Sequence, residues 1–178
     1  EDEDLYRFVR EGAALLGCEL VTVRAPETFD EMCVRKHAIP NDRMPFCSRI
    51  LKIAPAKEWM KAHPEVDTLV FGLDWTETHR LPKSEKLWSG YRCVAPMMEP
   101  PYLMKEMMAD QVAADGLEPP RLYKMGFKHN NCGGGCVRNG HASWVHLANV
   151  MPERFKEWAD REALLGNGYT FSRDRTGG

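Results

Sequence analysis

Between Gly126 and Cys136 the chain reads Gly-Phe-Lys-His-Asn-Asn-Cys-Gly-Gly-Gly-Cys, the densest concentration of reactive side chains in its 178 residues. Cys132 and Cys136 are four apart, preceded by His129 and two asparagines and separated by three glycines. Glycine permits positive φ and lets main-chain N–H groups approach a ligand closely. The apolar spacing after Cys136 predicts a helix over 137–149. That would set Cys136 near a first turn, where the helix's positive end favours the thiolate that binds metal or attacks an electrophile. A tight turn with two buried cysteines is the competing expectation.

Two further stretches carry chemistry. Phe46-Cys-Ser-Arg-Ile-Leu-Lys-Ile53 places Cys47 at the mouth of a predicted helix, with Arg49 and Lys52 close behind. Helix end and cations all favour a thiolate, whereas a small apolar residue packed beneath a loop is the plainer alternative. Asp67-Thr-Leu-Val-Phe-Gly-Leu-Asp74 is a continuous apolar run of the kind found in buried parallel strands. It delivers Gly72, Asp74, Thr76, Glu77, His79 and Arg80 at its C-terminal end, where open α/β sheets bind ligands. Here the alternative is a solvated loop carrying a surface ion pair.

The elements that must position these residues follow from periodicity and punctuation. Leu5, Phe8, Val9, Ala13 and Leu16 recur at helical spacing up to Gly17, and the acidic residues at the start suit that helix's positive end. Glu19 to Val23 reads as a β-branched strand, Thr28 to His37 as a short helix, and Leu81 to Tyr91 as a polar loop. Tyr91 to Met98 carries a short candidate strand, Tyr102 to Ala114 lies in a Met-rich helix, and Pro152 opens a last helix ending near Gly166. Helices alternating with strands imply one α/β domain over residues 1–166, with a flexible, glycine- and arginine-rich tail over 167–178.

Bulk numbers narrow the class. Apolar residues make up 43% and charged residues 28%, with a net charge of −2, so the composition gives no global attraction to nucleic acid or membrane. No apolar run approaches the roughly 20 residues of a membrane span, and Glu1-Asp-Glu-Asp4 is the opposite of a signal peptide. A cytoplasmic, reducing setting is expected. The six cysteines then read as ligands, reactive groups or core residues in preference to a disulfide framework.

Taken in order, the Cys47 segment, Gly72-Leu-Asp-Trp-Thr-Glu-Thr-His-Arg80 and the Gly126–Cys136 segment resemble the phosphoadenosine-phosphosulfate reductase-like branch of the PP-loop enzymes. The resemblance spans roughly residues 1–165. It implies the adenine nucleotide α-hydrolase-like fold, a mostly parallel sheet with helices on both faces and a helical C-terminal part. It also implies sulfur chemistry dependent on adenine nucleotide: reduction of a sulfonucleotide, or ATP-activated sulfur transfer, in some members to nucleic acid and from a sulfur-donor protein.

On that resemblance Gly72, Asp74, Thr76, Glu77 and Arg80 would surround ATP or a phosphosulfate-bearing nucleotide. Cys47, Cys132 and Cys136 would form a second, catalytic cluster. Three thiolates are one short of a four-ligand [4Fe–4S] or zinc site, with Cys93 or His129 as candidates for the fourth place. The family's Ser-Gly-Gly-x-Asp-Ser phosphate loop is not in the sequence. The expected sheet is therefore incomplete at its N-terminal side, with an open edge suited to pairing with another chain. A metal-stapled binding module and a thiol redox protein stand as alternatives to the enzyme.

Overall fold

A computed structural model describes residues 1–165, 170 and 171. It is mostly helical, at 57%, with only two short strands among the described residues. This overturns the expected mostly parallel sheet with helices on both faces. The physical reason lies in the strands themselves. Among the described residues Glu19 to Val23 pairs with no other segment, and Leu20, Val21 and Val23 are all more than two-fifths exposed, so β-branching without a ladder makes no strand. The Asp67–Asp74 run keeps only β1, Thr68–Val70. It pairs in parallel with β2, Arg92–Val94, in the register Thr68 opposite Arg92 and Val70 opposite Val94.

The chain forms two compact units, residues 1–57 with 119–178, and residues 58–118. The second unit holds the two-stranded ladder. The segment expected as a polar loop is here α5, Leu81–Leu87, whose second residue is a proline at a position where its missing N–H costs nothing. Met-rich α6 spans Lys105–Ala114.

The first unit is built from α1 (Glu3–Leu15), α2 (Phe29–Lys36) and α3 (Phe46–Ser48), which continues through a π-helical stretch, Arg49–Ile53. It goes on to the start of α4 (Ala54–Ala62), then α7 (Arg121–Lys124), α8 (His141–Val150) and α9 (Pro152–Leu165). Local signals set the ends of α2. Thr28 and Glu31 form a reciprocal capping box at its start, and His37 takes a left-handed conformation at its end. Among the described residues, no helix is long and apolar enough to cross a membrane. Of the expected tail, Thr170 and Phe171 are described and the remainder lies outside the described residues.

The core of this unit gathers around Trp158 on α9. Its ring meets Trp144, Phe29 and Phe171 edge to face, with centroids 5.7, 5.4 and 4.9 Å away, and the Arg161 guanidinium lies 4.7 Å above it. The glycine-rich turn is pressed against this core and needs each of its three glycines. Gly133 and Gly134 have φ of 61° and 89°. A Cβ on Gly133 would come within 2.9 Å of Arg154, and one on Gly134 within 2.6 Å of the Phe127 ring. Gly135 has an ordinary φ, but a Cβ there would lie 1.9 Å from the Trp158 indole nitrogen. The three glycines are thus explained by close packing against three side chains.

An electrostatic clamp ties the start of α1 to the same turn. Asp2 is fully buried and caps α1 by accepting from the Asp4 amide at 3.0 Å. Its carboxylate also accepts from Arg121 through Nε and Nη2 at 3.0 and 2.9 Å, and from Arg154 Nη1 at 2.6 Å. Arg154 Nη1 donates onward to the Gly133 carbonyl at 3.2 Å. Burial alone would raise the Asp2 pKa, but these hydrogen bonds outweigh it and the net shift is downward.

Two outcomes follow for stability. Gly135→Ala should destabilise the chain by at least the ~1–3 kcal/mol of an overpacked core, read as a lowered urea midpoint. Gly140→Ser, at the N-cap of α8 with nothing within 4 Å of its Cβ position, should be neutral or stabilising. Because the Asp2 pKa is depressed on folding, its contribution is complete above the ordinary carboxylate value of 3.8 and is lost as pH falls through the lower folded value. Asp2→Ala, which removes a buried carboxylate and leaves Arg121 and Arg154 with Glu3, should cost about 1.5–3 kcal/mol at neutral pH and flatten the acid limb of a pH–stability curve.

Candidate functional site

Cys132 and Cys136 are brought together by the turn that the glycines allow. Cys132 itself stands at φ 53°, ψ 35°, a left-handed conformation that non-glycine residues seldom adopt. The turn continues with Gly135 N–H donating to the Cys132 carbonyl at 3.1 Å and Asn139 N–H to the Cys136 carbonyl at 2.8 Å. The helix expected from residue 137 begins instead at His141, because that second turn and the Gly140 N-cap intervene. Cys136 therefore has no helix end to stabilise it.

A different device does so. The Cys132 thiol hydrogen-bonds to the Cys136 sulfur, and the Arg138 amide donates to it as well. With the nearby charges of His129 and Lys52, these outweigh burial and bring Cys136 down to about 6 from an ordinary 9.0. The same hydrogen bond, with burial and the Glu1 charge, pushes Cys132 strongly up. At neutral pH one proton is shared by the pair, carried by Cys132, and Cys136 is the thiolate.

Cys47 lies close enough to Cys136 for their charges to oppose, and both Cys47 and Cys132 pack against the Trp158 core. It opens α3 as expected, yet it is not held as a thiolate. Burial, helped by the Cys136 charge, pushes its pKa up and outweighs the Ser48 amide, Lys52 and its own amide. Cys33, buried in α2, is raised to about 11, chiefly by burial.

Lys52 and Glu1 complete the site, and Glu1 was not among the residues expected there. Glu1 Oε2 accepts from the Cys132 amide at 2.6 Å and Oε1 from Lys52 Nζ at 2.5 Å. Just before Cys132 in the chain, His129 Nδ1 and both amide atoms of Asn130 are buried without a hydrogen-bond partner, and Asn130 is only 8% exposed. Orphaned polar atoms are uncommon in folded interiors and are markers of a ligand or water position. The clamp residues Arg121 and Arg154 also escaped the sequence reading. Their partner Asp2 is 119 and 152 residues away, and no local pattern joins them.

The expected metal centre draws on Cys47, Cys132 and Cys136, with Cys93 or His129 as the fourth ligand. Among the described residues no group of three or more His, Cys, Asp or Glu side chains stands where it could hold a metal ion. Cys93 lies on β2 of the second unit, its thiol donating to the Tyr91 carbonyl at 3.8 Å.

The expected nucleotide segment also belongs to the second unit. Asp74 is buried and caps the 3₁₀ turn Trp75–Arg80 by accepting from the Thr76 amide at 2.8 Å and the Thr76 hydroxyl at 2.5 Å. Arg80 pairs with Glu77 one turn back, and more than half of its side chain is exposed. Gly72 approaches Met97, 3.8 Å from its Cβ position. These residues are accounted for locally by a cap and a surface ion pair.

No family model matches the chain, and neither a curated protein nor a solved structure matches it. The functional argument therefore rests on the thiol pair. Alkylation of Cys136 by iodoacetamide should follow a single titration with a midpoint at about 6, rising with pH and level above it. Cys132→Ala should move that midpoint up towards the ordinary thiol value of about 8.5. The midpoint is the readout, because a more basic thiolate is also the better nucleophile and partly offsets its lower abundance at any one pH. An unmoved midpoint would remove Cys132 as the cause.

Proposed function

We propose that this chain performs sulfur chemistry at a thiolate, with Cys136 as nucleophile and Cys132 as the resolving thiol. The feature that carries the reading is the glycine-rich turn that sets Cys132 and Cys136 side by side, where a hydrogen bond between the two sulfurs favours the ionised form of Cys136 over that of Cys132. The substrate class, a sulfur compound activated by an adenine nucleotide, comes from the sequence resemblance. The fold implied by that resemblance is not the one observed.

The chemistry is a two-step exchange. Cys136 thiolate attacks an electrophilic sulfur of the substrate, an S–S bond forms, and the leaving group departs with the electron pair of the broken bond. Cys132 then loses its proton and attacks the Cys136 sulfur. This releases the substrate sulfur in reduced form and leaves a Cys132–Cys136 disulfide, a two-electron oxidation of the protein. An external dithiol returns the pair to its starting state. Lys52 and His129 hold the Cys136 charge in place, and burial of the pair limits access of competing water.

A disulfide-containing reagent and mass spectrometry test this directly. Treating the reduced chain with an aromatic disulfide should modify Cys136 before the exposed Cys18 and end in an internal Cys132–Cys136 bond reversible by dithiothreitol. In Cys132→Ser the reaction should stop at a stable mixed disulfide on Cys136. If Cys136 reacts no faster than Cys18, the thiolate assignment is wrong.

A further inference from the structure

We propose that the Cys132 amide and the Lys52 ammonium form a subsite for the oxyanion of a small anionic substrate, a sulfonate or phosphate, and that Glu1 occupies it here as a displaceable stand-in. This rests on the reading of Cys136 as the nucleophile and adds to it the charge of what Cys136 attacks.

The geometry of Glu1 carries the inference. Its two oxygens are divided between a backbone N–H and an ammonium, each accepting one hydrogen bond. A carboxylate held in this way stands in for two oxygens of a tetrahedral oxyanion. The donors adjoin the thiol pair: the amide belongs to Cys132 itself, and the Lys52 charge acts on Cys136.

A second observation points the same way. His129 Nδ1 and the Asn130 amide, three and two residues before Cys132, are buried with no partner. Glu1 uses two donors of this turn and leaves these polar atoms unanswered. An oxyanion has more acceptor positions than a carboxylate, and Asn130 Nδ2 and a protonated His129 Nδ1 are donors suited to them.

The contrast with Asp2 separates a stand-in from a structural ion pair. Asp2 is fully buried and held by two guanidiniums. The Glu1 and Lys52 side chains are 22% and 57% exposed. Solvent at Lys52 screens this pair, so an incoming dianion can displace Glu1 more readily than Asp2, while the Asp2 clamp keeps the turn in place.

Two alkylating reagents of similar size and different charge test the subsite on the full reduced chain. With either, Cys136 forms an S–C bond as the C–I bond breaks and iodide leaves with the bonding pair. Glu1→Gln should raise the ratio of iodoacetate to iodoacetamide rates at Cys136 by about tenfold, the scale of one charge-assisted hydrogen bond, with the ratio at Cys18 unchanged. In Glu1→Gln, inorganic sulfate or phosphate should slow labelling saturably, and the stronger of the two names the oxyanion. In the unmutated chain the same protection should need about tenfold more anion. Adding Lys52→Met should abolish it.

Protection equalled by sodium chloride at matched ionic strength, or an unchanged reagent ratio while iodoacetamide labels Cys136 quickly, overturns the subsite alone. Slow iodoacetamide labelling of Cys136 in the unmutated chain overturns the thiolate reading and the subsite with it. Matching thermal transitions of the variants exclude unfolding as the cause, and the anion titration of the unmutated chain needs no variant.

Discussion

The absence of side chains at three successive positions is the constraint on which the first unit depends. Gly133, Gly134 and Gly135 let Arg154, Phe127 and Trp158 close onto one turn of backbone from different directions. Each contact does a separate job. Arg154 links the turn to the buried Asp2, Phe127 joins it to the His146 ring at 4.7 Å, and Trp158 joins it to the aromatic core. His146 in turn bonds the Met125 carbonyl through Nε2 at 2.9 Å, tying down the residue before Gly126. A turn fixed at so many points can hold Cys132 in a left-handed conformation that its own side chain disfavours.

Charge is distributed across this unit by depth. The deepest carboxylate, Asp2, is matched by two guanidiniums, the arrangement that makes a buried ion tolerable only when its oxygens are fully used. Glu1, one residue earlier and nearer to solvent, answers a single ammonium and a single amide. The thiol pair lies beyond Glu1 and is influenced by it in one direction: the Glu1 charge raises Cys132 and so helps to keep the shared proton there. Cys132 and Cys136 have the same chemistry in isolation. Their unequal surroundings give them unequal roles.

How much of this was legible in the sequence divides along the range of the interactions. Helices set by local periodicity and caps could be read: α2 between Thr28 and His37, α1 ending near Gly17, and α9 opening at Pro152. The reactive turn was legible by composition, and Cys132 and Cys136 do share one site. The sheet was not. Glu19 to Val23 has strand-like residues, but strand formation needs a partner that composition does not reveal, and it has none among the described residues. The helix start at His141 was missed because the Cys136–Asn139 turn is a backbone bond with no side-chain signature. Asp2, Arg121 and Arg154 were illegible for a plainer reason: ion pairs across more than a hundred residues leave no local trace.

The resemblance to sulfonucleotide enzymes meets a physical test in how the two polar clusters spend their hydrogen bonds. In the Trp75–Arg80 turn, Asp74 is committed to the Thr76 amide and hydroxyl, and Arg80 to Glu77, so a ligand there must compete with bonds that already hold the turn. In the glycine-rich turn the balance is reversed. Asn130 and His129 are buried with nothing to bond, and the Cys132 amide and Lys52 are answered by a carboxylate that solvent reaches. Unspent buried polarity beside an ionised thiol lowers the cost of taking in a polar ligand, because the desolvation of those groups has already been incurred on folding. On energetic grounds the cysteine turn is the better prepared of the two for binding and chemistry.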